Sequence, residues 1–167
     1  MKSANRFTPE KVEELFREIL ARSFPDLSPD VPLRWRKMKF SGYSSPFSGK
    51  IYLNLQLINH NGLNKKELSG LIAHELAHQI SYRQRRFFGK WAFLWAYLLS
   101  SAQRSIVERE ADEIAIQRGY GPHLLAERIA LEKRFEDNPK MKSLVRRIYM
   151  STEEIRQRIE KSASTPM

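Results

Sequence analysis

Apolar residues recur at helical spacing along most of the chain and alternate with polar ones over only one short stretch. Val12, Leu15, Phe16, Ile19 and Leu20 follow the period of an amphipathic helix. Thr8 as N-cap and Pro9 in the first turn start it, and Pro25 ends it. Pro25, Pro29, Pro32, Gly42, Pro46 and Gly49 then mark a turn-rich region. Within it, Leu33 to Met38 alternates apolar and basic side chains, as a half-exposed strand does. Ile51 to Leu55 reads as a second strand. It fits either the edge of a cleft that pairs with extended substrate or an interior strand. His60, in Asn59-His60-Asn61-Gly62, reads as a turn residue.

The C-terminal two thirds read as helices. Asn64 and Glu67 form an N-terminal capping pair for a helix running to about Tyr82. Leu68, Ile72, Leu76 and Ile80 form its apolar stripe, with Leu71, His74, Glu75 and His78 around the cylinder from it. Further helices are expected from Gln103 to Arg118, stopped by Gly119; from Gly121-Pro122 onward, with Leu125, Ile129 and Phe135 as apolar positions; and from Met141 to Tyr149. Val107, Ala111, Ile114 and Ala115 are the core face of the first of these. Ser151 with Glu154 is a second capping box, opening a polar last helix. This pattern predicts an α+β, mainly helical fold in a single domain over residues 1–161, with 162–167 as a frayed tail.

Residues 87–99 break the amphipathic rule. From Trp91 to Leu99 every side chain is apolar or aromatic, and Arg83, Arg85, Arg86 and Lys90 precede the run. The run is shorter than the about 20 apolar residues a bilayer span needs. A buried helical hairpin or oligomer contact accounts for it, and so does a membrane interface contacted through residues 83–99.

Composition narrows the chemistry. The 167 residues include no cysteine, so disulfides, thiolate metal sites and cysteine nucleophiles are excluded. Any metal site must use His, Asp or Glu, which suits a catalytic zinc with an open position. The net charge of +10 admits anionic partners, but no nucleic-acid motif is present and none is expected to bind. Met1 to Phe7 has no apolar signal region, so a cytoplasmic location, with membrane association through residues 83–99 as a variant, is expected.

His74-Glu75-Leu76-Ala77-His78 carries the sharpest chemical signal. Two imidazoles four residues apart share a helix face and can reach one Zn²⁺, and the intervening Glu can reach a water on it. A third ligand is needed. The +3 and +6 positions that would supply Gly and a third His are Ser81 and Gln84, so a metzincin arrangement fails. Glu108-Arg109-Glu110-Ala111-Asp112 offers a carboxylate instead. Glu108 and Asp112 share a helix face; Glu108 can bind the metal while Asp112 accepts a hydrogen bond from a ligand imidazole.

The pattern His74-Glu75-x-x-His78 followed by Glu108-x-x-Ala111-Asp112 resembles the gluzincin peptidases. It looks most like the family of the CaaX prenyl endopeptidases and bacterial heat-shock membrane proteases, and like their minimal soluble versions, the minigluzincins. Ile51 to Asn54, Ile116 to Tyr120 and Ser151 to Glu154 are similar too, so the resemblance covers roughly residues 50–160. It implies a zincin-like fold, with a small sheet beside the His-Glu-x-x-His helix and a following glutamate helix. It implies one Zn²⁺ per chain on His74, His78 and Glu108, and Glu75 as general base in hydrolysis of a protein or peptide substrate. Membrane members commonly carry His-Pro where this chain has Tyr149-Met150. Tyr149 is therefore the first candidate for the oxyanion donor and His123 the second. A latent, zymogen-like form is compatible with this reading, and a catalytically silent zinc-binding regulatory or membrane-peripheral scaffold is the alternative.

Overall fold

The computed structural model describes residues 6–84 and 100–164. The fold is mainly helical with one small three-stranded sheet, an α+β arrangement. Helix α1, Pro9–Ser23, begins as expected, with the Thr8 hydroxyl accepting from the Lys11 N–H. Its stripe of Val12, Leu15, Phe16, Ile19 and Leu20 is buried.

The sheet is formed by β1 (Leu33–Trp35), β2 (Gly42–Ser44) and β3 (Ile51–Leu53) in the order β1-β3-β2. β1 runs parallel to β3 and β2 antiparallel to it. Strand β3 is therefore interior, which removes the reading of Ile51 to Leu55 as a cleft edge. The edge nearest the central helix is β2, a strand that no periodicity announced, because three residues inside a Gly- and Pro-rich stretch are too few to show alternation. Both predicted strands are shortened. Asn54 leaves β3 and caps a short helix α2, Leu55–His60, by accepting from the Leu57 N–H. His60 thus closes a helix, and the turn follows at Asn61 and Gly62.

Helix α3, Lys65–Gln84, is the centre of the molecule. The capping box at its start is complete. Glu67 accepts from the Asn64 backbone N–H at 2.9 Å, and Asn64 Oδ1 accepts from the Glu67 N–H at 3.0 Å. Every residue from Leu68 to Tyr82 is buried. The predicted stripe of Leu68, Ile72, Leu76 and Ile80 is real, but α1, β2 and two later helices enclose the remaining faces as well. The polar groups on those faces are consequently out of water and must find partners inside the fold.

The later helices are α4 (Ser101–Ala115), α5 (Gly121–Arg134), α6 (Pro139–Ile148) and α7 (Thr152–Ser164). A wide turn over Ile116–Tyr120 separates α4 from α5, with Gly119 at φ 86°. Helices α4 and α5 both pack on α3. The buried face of α5 differs from expectation. It is Leu124 and Arg128, while Ile129 is 45% exposed and Leu125 and Phe135 are half-buried. At this face α5 approaches α3 closely: a Cβ at Gly70 would lie 2.4 Å from the His123 carbonyl. In α7, Ser151 and Glu154 form the second capping box, and the helix continues to Ser164, past the tail boundary expected at 162. Residues 85–99, which contain the whole apolar run, lie outside the described residues. No helix among the described residues is long and apolar enough to cross a membrane.

Candidate metal centre

Helix geometry places His74 and His78 one turn apart on α3, and the packing of α4 on α3 brings Glu108 to both. His74 Nε2 lies 3.1 Å from His78 Nε2 and 3.1 Å from Glu108 Oε2, and His78 Nε2 lies 3.3 Å from the same oxygen. All three residues are buried. Donors about 2.0–2.1 Å from a tetrahedral zinc lie about 3.3–3.4 Å from one another, so this triangle has the dimensions of one face of such a site.

The protons make the same point. His74 Nδ1 lies 2.9 Å from Asp112 Oδ1, an acceptor, so Nδ1 carries the hydrogen. In the neutral ring Nε2 is then an unprotonated acceptor facing a carboxylate oxygen and a second imidazole nitrogen. Either a proton or a cation between these atoms would satisfy the facing acceptors. Without a metal, a proton on His74 Nε2 can play that part. Burial alone would lower His74, yet its bonds to Asp112 and Glu108 hold it well above the usual histidine range. Burial would raise Glu108, yet His78 and His74 hold it well below the carboxylate range. The spacing and type of the donor atoms fit a divalent cation, and a His-His-Glu donor set suits zinc.

Asp112 anchors the support behind the ligands. It is fully buried. Oδ1 also takes a bond from Arg128 Nη2 at 3.0 Å, and Oδ2 takes the Met150 backbone N–H at 3.0 Å. Burial pushes Asp112 up, but Arg128, His74 and the Met150 amide lower it below its usual value, so it stays ionised. Stacking of the His78 ring on Tyr82, with centroids 5.5 Å apart and 14° between planes, fixes that second ligand's plane.

Glu75 also faces this region and is buried. Burial pushes its pKa up to about 7, against the opposing pull of His78 and His74. Strand β2 lies directly against it. A Cβ on Gly42 would come within 2.5 Å of Glu75 Oε1, so only glycine leaves room for the carboxylate there. One turn further along α3, Gln79 donates to the Ser44 hydroxyl and at 3.4 Å to the Ser45 carbonyl, pinning β2 over the helix.

Of the two candidate oxyanion donors, Tyr149 has its ring near that of His74, and His123 lies on α5. Tyr149 caps the C-terminus of α6, and its ring centroid is 5.9 Å from that of His74. The Arg128 guanidinium lies 4.2 Å from the Tyr149 ring centre, and Arg109 donates to the Tyr149 carbonyl at 3.1 Å. His123 is the other candidate. It sits in the first turn of α5, beside Gly70 and one turn before His74, with its ring 5.2 Å from Tyr120. Burial, with Lys66 nearby, lowers its pKa. It takes no part in the His74, His78 and Glu108 cluster.

Sequence reasoning placed His74, Glu75, His78, Glu108 and Asp112 together. It missed Arg128, Gly42 and Gln79. The one available signal was an arginine at Arg128, four residues after Leu124, on what proves to be the buried face of an otherwise ordinary helix. No family model, no curated protein and no solved structure matches this chain.

Proposed function

We propose that this protein is a zinc-dependent endopeptidase of gluzincin type, with a zincin-like arrangement of sheet, His-Glu-x-x-His helix and glutamate helix. The observation that carries the reading is the convergence of His74 Nε2, His78 Nε2 and Glu108 Oε2 at 3.1–3.3 Å beside the carboxylate of Glu75. His74, His78 and Glu108 would hold the ion. When bound, zinc supplies a positive charge that polarises a carbonyl and acidifies a water.

The chain's own groups do the rest. Asp112 keeps the His74 hydrogen on Nδ1 and so leaves the Nε2 lone pair turned to the site. Glu75, buried beside His74 and His78, accepts a proton from the attacking water and returns it to the leaving amine. Tyr149, beside His74, is the donor for the oxyanion of a protein or peptide substrate.

The ligands and Glu75 are all 4–6% exposed. This burial supports a latent form in which the substrate path must open. It also favours the alternative of a zinc-binding regulatory or scaffold protein without turnover. Purified protein is expected to carry about one zinc per chain and to cleave an unstructured protein such as casein. Glu75→Gln should keep the metal and lose cleavage. Equal activity in that variant would overturn the mechanism; a zinc-loaded parent inert toward a broad peptide panel would support the scaffold.

A further inference from the structure

The outer face of the sheet has no part in the metal centre, and its chemistry is one-sided. Ile51, Leu53 and Leu33 point into the core, and the alternate positions face outward. Register places Arg34, Tyr52 and Tyr43 side by side across β1, β3 and β2. Arg36 lies over the Tyr52 ring at 5.9 Å, and Tyr52 stacks on Tyr43 with centroids 6.1 Å apart. Lys50, one residue before β3, falls on the same side by alternation. Arg34 and Arg36 are exposed, and Tyr43 is 43% exposed. The loop from β1 to β2 adds Lys37, Lys39 and Phe40, the last 66% exposed. Between residues 31 and 66 the chain has seven Lys and Arg and no Asp or Glu.

We propose that this face is a docking surface for anionic phospholipid headgroups. Cations at the rim of a flat face gain energy from a negatively charged leaflet, and tyrosines and an exposed Phe suit the boundary between headgroups and acyl chains. Single-stranded nucleic acid shares the phosphate chemistry but needs open ring faces for its bases. Here Tyr52 has Arg36 over its ring and is stacked on Tyr43. This surface is built from residues 34–52 and does not rest on the peptidase reading. Because Gly42 on the inner side of β2 meets Glu75, docking would hold the metal centre one strand's thickness from the lipid.

The test is flotation of the full chain with vesicles of phosphatidylcholine alone or mixed with phosphatidylserine, at low and high salt. Binding is expected only with phosphatidylserine, and high salt should reverse it. Combined Arg34→Glu, Arg36→Glu and Lys50→Glu should lower vesicle affinity at least about tenfold. Lys140→Glu, Lys142→Glu and Arg147→Glu on α6 change net charge equally and should cost less than about threefold. The corresponding Gln variants of the sheet cations, with melting temperature as a check on folding, serve if the Glu set does not fold. An equal loss from both sets would reduce the effect to net charge and overturn the proposal. So would absence of vesicle binding, or selective binding of a single-stranded oligonucleotide that the sheet substitutions abolish.

Discussion

Arg128 Nη2 lies 3.0 Å from Asp112 Oδ1, the same oxygen that faces His74 Nδ1. Both Arg128 and Asp112 are essentially out of solvent. A buried carboxylate that supports a metal ligand is thus neutralised by a buried guanidinium from the next helix. Removing one partner strands the other charge in a medium of low dielectric. Arg128→Met is therefore expected to cost about 3–5 kcal/mol in unfolding free energy, read by urea titration. Asp112→Asn combined with Arg128→Met should cost less than the two single changes added together. A cost for Arg128→Met below about 1 kcal/mol would show that the pair is not coupled as described.

Zinc should stabilise the folded chain whether or not it is catalytic. At a free concentration about 100 times its dissociation constant, a ligand specific to the folded state adds about 2.7 kcal/mol. For a chain of this size that is a rise in melting temperature of about 5–11 °C. Chelation should reverse it. His78→Ala or Glu108→Ala should abolish most of the response, and a response unchanged in both variants would place the metal elsewhere.

Asp112 Oδ1 lies 2.9 Å from His74 Nδ1 and so turns Nε2 toward His78 and Glu108. Asp112→Asn is expected to weaken zinc affinity about 10- to 100-fold, measured by competition with a chromogenic chelator. An affinity within about twofold of the parent would mean that this hydrogen bond does not orient the ligand.

Gly42→Ala tests the fit of β2 over Glu75. The new methyl would overlap Glu75 Oε1, so the carboxylate or the strand must move. Zinc content should be unchanged, because the atoms nearest the new methyl all belong to Glu75. Peptide cleavage should fall at least about tenfold, since displacement of a reacting group by about 1 Å costs up to about 100-fold. Full activity would show that Glu75 tolerates repositioning or is not the base.

Glu154 allows a pH test away from the metal ligands. Burial raises its pKa, but the Ser151 amide, Arg109 and the Ser151 hydroxyl outweigh this and lower it below the usual 4.5. A group with a depressed folded pKa stabilises above its unfolded value, and the contribution is lost as pH falls through the folded value. Glu154→Gln should therefore be less stable than the parent at neutral pH, with the gap closing below pH 4.5. Glu154 and Arg109 are 40% and 34% exposed, so solvent screening keeps the gap under about 1 kcal/mol. A gap that widens in acid would reverse the sign of the argument.

Local chemistry made much of this protein legible. Helix starts depend on neighbours three residues away, and the caps at Thr8, Asn64 and Ser151 all form as read. The four-residue spacing of His74 and His78, and of Glu108 and Asp112, sets common helix faces before any packing occurs. That both pairs meet at 3.1 Å and 2.9 Å was a consistent expectation, but only the packing of α4 on α3 realises it. Other features are decided wholly by tertiary structure. Strand β2 exists because β3 accepts it and α3 supports it, and nothing within Gly42 to Ser44 specifies that pairing. Arg128 is buried because α5 turns that face to Asp112, 16 residues earlier in the chain. Tyr149 is the first candidate donor and His123 the second, and the tertiary arrangement puts the Tyr149 ring 5.9 Å from that of His74 and the His123 ring 5.2 Å from that of Tyr120. The physical reason is range: backbone hydrogen bonding and periodicity act within a turn or two. Which faces come together depends on the burial of apolar surface from the entire chain at once.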